Sequence, residues 1–408
     1  MASLTWHQRW SVLAFTVLSQ ALILGIHSYA FAFWILPWLN EFKVPRSQLM
    51  LIITASVAGV AIASPFVGIA LDRFSMRNLY CTGALSFAVT LILISRAHSH
   101  WMIMLLYGVM LPCGIITCGT FGCQFLVVRL FSEYRGLALG IMAQGVPVGT
   151  FIAPLLVTSL LPSYGWRATF KMLALGTCLL LIPTALIVMR NLPQLEGSNS
   201  KNRVRPAEAN AVRLPTRSLL ASRDFWIISL GFGGLLGAYL PILYNMGSFA
   251  SDLGIPQRRA ALIASTGAIT ISIGKLTFGR LSDVVERHRL FQVAAGFMLV
   301  GVSVVSASSS ARPLFVGILL STFAIGSFVP LMSNMVADRF GTEAFGRVMG
   351  LVYLFVQVSA LFPFLAALIR DSLGSYRPAF LAMLIPLIPA IITMQWLSRG
   401  RRAAPVSA

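Results

Sequence analysis

Lys275 interrupts an otherwise uncharged run from Arg259 to Arg280. An ammonium in such a stretch could attract an anion, and carrying it in an apolar helix costs about 2.5 to 3.5 kcal/mol, so it is ordinarily paired or functional. It also precedes Gly279 by four residues, roughly 6 Å along a helix, close enough to a water boundary for the side chain to snorkel. Both readings fit. His27 stands in another uncharged run, from Arg9 to Glu41. Its imidazole, with an unperturbed pKa of about 6.5, could relay protons or rest neutral in hydrogen bonds. Tyr29, Gln144, Tyr239, Tyr244, Asn245, Asn334, Tyr353 and Gln357 could line a polar cavity, and Tyr353 and Gln357, one turn apart, share a helix face. Each could equally join helices by a hydrogen bond.

Other chemistries find no support. Paired carboxylates, a nucleophile elbow and a metal cluster are all missing, so the chain is read as no enzyme, without cofactor or metal. Cys81, Cys113, Cys118, Cys123 and Cys178 fall in apolar runs, and the spacing of five between Cys113, Cys118 and Cys123 turns each about 140° from the last on a helix, which forbids one metal face. His98 and His100 sit in a short loop with no matching ligands. Gly231, Gly233, Gly234 and Gly237 miss the GxGxxG spacing of phosphate loops and suit close helix packing.

The elements that position these residues are set by the charges. With 57% hydrophobic and 11% charged residues in 408, the chain has too little polar surface for a soluble globule of its size. Its charges fall in short patches separated by uncharged runs of roughly 20 residues, the length that crosses a bilayer core. Twelve such runs predict an all-α membrane protein. A net charge of +19 would suggest nucleic acid in a soluble protein. Here twenty of the 31 basic residues lie inside if both termini are cytoplasmic, the positive-inside pattern, so a plasma (inner) membrane location is expected and nucleic acid is not. The first run is too long for a cleavable leader and reads as the insertion signal. The polar stretch 190–223, rich in Pro, Ser, Asn and Arg, reads as a cytoplasmic linker between six-helix bundles at 1–189 and 224–398, with a tail at 399–408.

The halves repeat. GIALDRFSMRNL (Gly68 to Leu79) matches GRLSDVVERHRL (Gly279 to Leu290) at its Gly, Asp and final Leu, 211 residues on. Gly165 to Phe170 aligns with Ser375 to Phe380 at an offset of 210, which Gly140 and Gly350 keep. Two independent matches at nearly one offset point to duplicated six-helix bundles.

Parallel halves of this kind are the build of the major facilitator transporters, with a solute site near the midplane between the halves. The chain resembles that superfamily in Gly68, Asp72, Arg73 and Arg77, which stand where the family has the Gly, Asp-Arg and Arg of its loop after the second helix; Phe74 to Met76 departs from the usual central Gly. The resemblance gives these residues, with Gly279 and Asp283 in the second half, a gating role on the cytoplasmic side. An Asp near a helix end can pair with a base or a helix N-terminus in one state and release it in another. The plainer reading is loop charges that set topology.

Longer stretches resemble the monocarboxylate transporter branch and its oxalate/formate antiporter relatives: Ser28 to Leu49, Arg135 to Phe170, Phe249 to Val285, and Gly346 to Leu351. In that branch an Arg four residues before the eighth-helix Gly binds the substrate carboxylate. Lys275 holds the position here, with the charge but without the bidentate fork. The proton symporters of the branch often have an Asp one turn earlier and a Lys in the first helix, where this chain has Ile271 and Phe33, leaving His27 as the titratable candidate for a coupling proton. The resemblance thus implies a secondary active transporter of a small organic anion, a monocarboxylate, working as a monomer by alternating access in the lipid bilayer. Two alternatives stay open. One is an exporter of drugs or other amphipathic compounds, since Gly140, Gly145, Gly149 and Pro154 resemble the antiporter glycine motif without its Gly-Pro-x-x-Gly-Gly ending. The other is a transporter-like solute sensor, which would need an appended soluble domain.

Overall fold

In the computed structural model the described residues are 6–190 and 216–399. Most of the expected central linker, 191–215, and of the tail, 400–408, therefore lies outside them. The described residues are helices joined by short turns, with no strand among them. Eleven helical runs are long and apolar enough to cross a membrane. They are α1 (Trp6–Phe42), α2 (Gln48–Arg73), α3 (Met76–Ser95), α4 (His100–Leu130), a 55-residue run Arg135–Met189, α7 (Arg223–Asp252), α8 (Arg258–Leu281), α9 (Arg287–Ala307), α10 (Ala311–Phe340), α11 (Phe345–Leu373) and α12 (Tyr376–Met394). The 55-residue run is two passes. At Gly165 the backbone turns to φ 71, ψ 168, a region open to glycine and closed to most side chains, so the run divides into α5 (135–164) and α6 (165–189). The count is the expected twelve.

Contacts gather the chain into two compact units. Unit 1 holds 1–132, 141–213 and 342–351; unit 2 holds 133–140, 214–341 and 352–408. Each unit thus takes a short segment from the far half of the sequence.

Local geometry extends the repeat beyond what residue identity reveals. Lys43 closes the C-terminal end of α1 in a left-handed conformation (φ 52), and Gly254 takes the same conformation (φ 68) 211 residues on. In each case a proline follows two residues later, Pro45 and Pro256, and its extended backbone opens the next helix. Arg167 donates to the Ala97 carbonyl at 2.8 Å, and Arg377 to the Ser308 carbonyl at 3.0 Å. In unit 1 Glu41 also accepts from the Trp166 indole at 2.7 Å and from Arg167, joining the ends of α1 and α6.

A break at Gly119 (ψ −150) alters the cysteine geometry that continuous helix predicted. Cys118 and Cys123 both meet the buried Tyr80 hydroxyl, which lies 3.2 Å from the Cys118 carbonyl and 3.1 Å from the Cys123 sulfur, while Cys113 stays exposed. Ser19 adds a 2.6 Å bond to the same carbonyl, so this is a polar knot that ties α1, α3 and α4.

Candidate functional site

In unit 1 the site builds from two widened helical turns. Gly25–Tyr29 in α1 and Leu106–Met110 in α4 are π-helical, the former closed by a 2.9 Å bond from the Ala30 amide to the Gly25 carbonyl. Single π turns within α-helices frequently mark functional positions, because each adds a residue and re-aims the side chains around it. These two turns present His27 and Tyr107 to one another, with ring centroids 5.9 Å apart. His27 is buried. Its Nδ1 lies 2.8 Å from the Ser28 hydroxyl and its Nε2 2.7 Å from the buried Ser56 hydroxyl on α2. Hydroxyls both donate and accept, so either tautomer is satisfied. Phe31 and Trp38 continue the aromatic set, each in ring contact with Tyr107. Tyr29, in the same π turn as His27, is 38% exposed. Gln144, half-buried, sits at a turn that interrupts α5 just before Gly145.

In unit 2, Lys275 is 8% exposed within α8. The backbone there is closely held: a Cβ on Gly140 would lie 2.5 Å from the Lys275 carbonyl oxygen, and one on Gly326 2.7 Å from its amide nitrogen. Only glycines permit this approach. Tyr239 is buried in α7, Tyr244 is 70% exposed, and the Asn245 amide donates to the carbonyls of Pro241 (3.1 Å) and Pro363 (3.3 Å), bridging α7 to α11. Tyr353 and Gln357 are half-buried, and Gln357 opens a 3₁₀ turn, Gln357–Leu361. Asn334 leaves the cavity set: its oxygen accepts from Arg135 at 2.6 Å and its nitrogen donates to Ser282 at 2.9 Å.

The expected gating residues divide. Asp72 accepts from the backbone amides of Gly346 (3.0 Å) and Arg347 (2.7 Å), at the start of α11 and within unit 1. Asp283 accepts from those of Gly136 (2.7 Å) and Leu137 (3.0 Å), at the start of α5 and within unit 2. Each carboxylate thus satisfies donors that a helix start leaves open and sits at the positive end of its dipole. Gly68 and Gly279 make room for this. A Cβ on either would fall 2.3 Å from Gly346 oxygen and 2.7 Å from Gly136 oxygen respectively. Arg73 and Arg77 are exposed and have no carboxylate partner among the described residues; Arg129 instead reaches Asp72 at 3.5 Å. Arg135 and Arg287 converge on Asp338.

Sequence reasoning passed over Tyr107, Ser56, Arg129, Arg135, Gly136, Gly346 and Asp338. A signal for some of them was present: Arg129 and Arg339, Glu133 and Glu343, and Gly136 and Gly346 all keep the 210-residue offset. Among the described residues no group of three His, Cys, Asp or Glu could hold a metal ion.

Comparison with known proteins agrees with this architecture. The sequence model of the Major Facilitator Superfamily matches residues 13–256 and 235–408. Monocarboxylate transporter 10 of Danio rerio is 27% identical over 96% of this chain and 79% of its own length. The uncharacterized MFS-type transporter YcxA of Bacillus subtilis is 24% identical over 90% of both chains, and the fujikurins efflux protein of Gibberella fujikuroi is 27% identical over 73% of this chain and 62% of its own. Among solved structures, the proton:xylose symporter XylE superposes with a TM-score of 0.72 at 13% identity, over 96% of both chains. The fucose:proton symporter FucP of E. coli gives 0.70 at 17%, over 96% of this chain and all of the other. With both halves matched and the fold shared end to end, the chain belongs to the Major Facilitator Superfamily.

Proposed function

We propose that this transporter carries a small organic anion, a monocarboxylate, by secondary active transport with alternating access, and that Lys275 supplies the charge that attracts the carboxylate. The observation that carries the reading is Lys275 itself, an ammonium buried within a membrane-crossing helix whose neighbours are glycines. The likeness to monocarboxylate transporters over nearly the whole chain supports the substrate class. His27, Tyr29 and Gln144 from unit 1, and Tyr239, Tyr244, Asn245, Tyr353 and Gln357 from unit 2, are proposed as the polar contacts of the solute. Asn245 has the least to offer, because its amide already bonds two carbonyls. His27 is the proposed carrier of a coupling proton.

The test is uptake of radiolabelled carboxylates into proteoliposomes under imposed proton or counter-anion gradients. Transport by the native chain, lost in Lys275→Ala and partly kept in Lys275→Arg, is the expected result. Failure of every carboxylate to move overturns the substrate class, and full activity of Lys275→Ala removes its role. Both termini are proposed to face the cytoplasm of the plasma membrane, as the basic residues suggest, and terminal epitopes reached only after permeabilisation would bear this out.

One comparison favours a second reading, export of an amphipathic compound. The fujikurins efflux protein matches as high an identity as the monocarboxylate transporter does, over a shorter stretch. Cells expressing the chain that gain resistance to amphipathic toxins while failing to take up carboxylates would select export.

A further inference from the structure

The glycine run of α7 does more than pack helices. Gly231 and Gly237 do lie against side chains: an added Cβ would meet Met394 at 2.8 Å and Phe362 at 2.5 Å. Gly233 does not. Its nearest neighbour is the Val356 Cα at 3.8 Å, and the space it leaves open belongs to a cavity of about 710 Å³ inside unit 2, between α7, α11 and α12. The walls are apolar, formed by Phe355, Phe362 and Pro386 among others. Leu230 and Val358 on its lining are exposed, so it opens at the surface of the membrane-crossing segments. Its apolar lining offers water few polar partners, and at that depth the surrounding solvent is hydrocarbon.

One end of the cavity is charged. Arg223, at the first residue of α7, holds its guanidinium carbon over the Trp396 ring, 3.8 Å from the centroid. A guanidinium held by an aromatic ring keeps N–H donors with which to meet an oxyanion. No carboxylate among the described residues pairs with Arg223; the adjacent Asp224 is engaged by Arg339 at 3.5 Å. The Trp226 indole is held by the Leu220 carbonyl at 2.7 Å and does not compete. Further in, Ser229 is among the residues of the same cavity wall, its hydroxyl buried and without a hydrogen-bond partner. It stands six residues past Arg223, about 9 Å along the helix. A cation at the water boundary, an aromatic beside it, an unmet hydroxyl below and an apolar channel beyond follow the order of groups in a glycerophospholipid.

We propose that this groove is a binding site for one anionic phospholipid, with its phosphate on Arg223, an ester oxygen near Ser229 and an acyl chain over Gly233. The site is independent of the transported solute.

Native mass spectrometry of the purified full-length chain, given equal phosphatidylglycerol and phosphatidylcholine, tests it. The native protein should keep phosphatidylglycerol in preference. Arg223→Gln should weaken that lipid by about fivefold, the contribution of one basic residue at a charged surface, and weaken phosphatidylcholine, whose choline offsets its phosphate charge, by less, so that the preference shrinks. Gly233→Leu should fill the channel and reduce both. Equal retention of the two lipids by the native chain, or unchanged phosphatidylglycerol binding in Arg223→Gln, overturns the site. So does full displacement of the lipid by glycerophosphoglycerol, which would make it a pocket for a free phosphate compound.

Discussion

Replacing Asp72 by Asn asks how firmly one carboxylate holds the start of α11. The side chain is 11% exposed and takes bonds of 3.0 and 2.7 Å from Gly346 and Arg347, with Arg129 at 3.5 Å. Asparagine keeps the shape, but it offers one acceptor oxygen for two amides, turns an NH₂ toward a donor, and gives Arg129 no counter-charge. A hydrogen bond to a charged group contributes about 1.5 to 3 kcal/mol, and a negative charge at a helix N-terminus about 0.3 to 2 kcal/mol. With one bond lost and the other made neutral, the contact should weaken by about 2 to 4 kcal/mol. At about 1.4 kcal/mol per tenfold, opening becomes about thirtyfold or more as frequent, of which a tenfold rise is a conservative threshold. Hydrogen–deuterium exchange followed by mass spectrometry reads this directly. Peptides covering Gly346 and Arg347 should exchange at least about tenfold faster in Asp72→Asn. Those covering Gly136 and Leu137 should not change, and the pattern should reverse in Asp283→Asn. Unchanged exchange at Gly346 and Arg347, or an even rise along all of α11, would refute the view that this carboxylate is what pins the helix start.

Gly136→Ala should destabilise unit 2, since its Cβ would fall 1.9 Å from the Ser282 hydroxyl and 2.3 Å from the Gly279 carbonyl. A cost of about 1 to 3 kcal/mol is expected, read as a lower thermal midpoint, whereas Gly176→Ala, with open space around it, should be neutral or slightly stabilising. A membrane-permeant maleimide should modify Cys113 on the intact protein and leave Cys118 and Cys123 unmodified; labelling of either buried thiol before Cys113 would contradict the knot at Tyr80.

The spans were legible because a bilayer demands uninterrupted apolar helix, and charges at Arg46, Asp72, Arg77 and their counterparts mark the ends without help from tertiary contacts. The π turns were not. A wide turn at Gly25–Tyr29 depends on how α1 meets Gly149 and Ala153, where a Cβ on Gly25 would lie 2.9 Å from either, and no local pattern encodes that meeting. The packing around the cysteines was not legible for a similar reason. The backbone breaks at Gly119, and the Cys118 carbonyl and the Cys123 sulfur both lie at the Tyr80 hydroxyl. Lys275 was legible as an oddity of charge, while its fixed backbone position between two glycines needed the fold.

The basic residues at the helix ends separate by burial into two kinds. Arg129 and Arg135 keep 13% and 14% of their side chains exposed and contact Asp72 and Asp338. Removing Arg129 would leave the buried Asp72 short of its counter-charge, which is costly in proportion to burial, whereas Asp338 without Arg135 would keep Arg287. Arg73 and Arg77 are exposed and contact no carboxylate among the described residues, so their neutralisation should leave the packing of unit 1 intact. Exposed basic residues at a helix end can bias how a helix pair inserts. Within the loop motif, Gly68 and Asp72 dock a helix start, whereas Arg73 and Arg77 make no such contact among the described residues. Arg73→Gln with Arg77→Gln should therefore shift the fraction of correctly inserted protein without speeding exchange at Gly346, whereas Arg129→Gln should do the reverse.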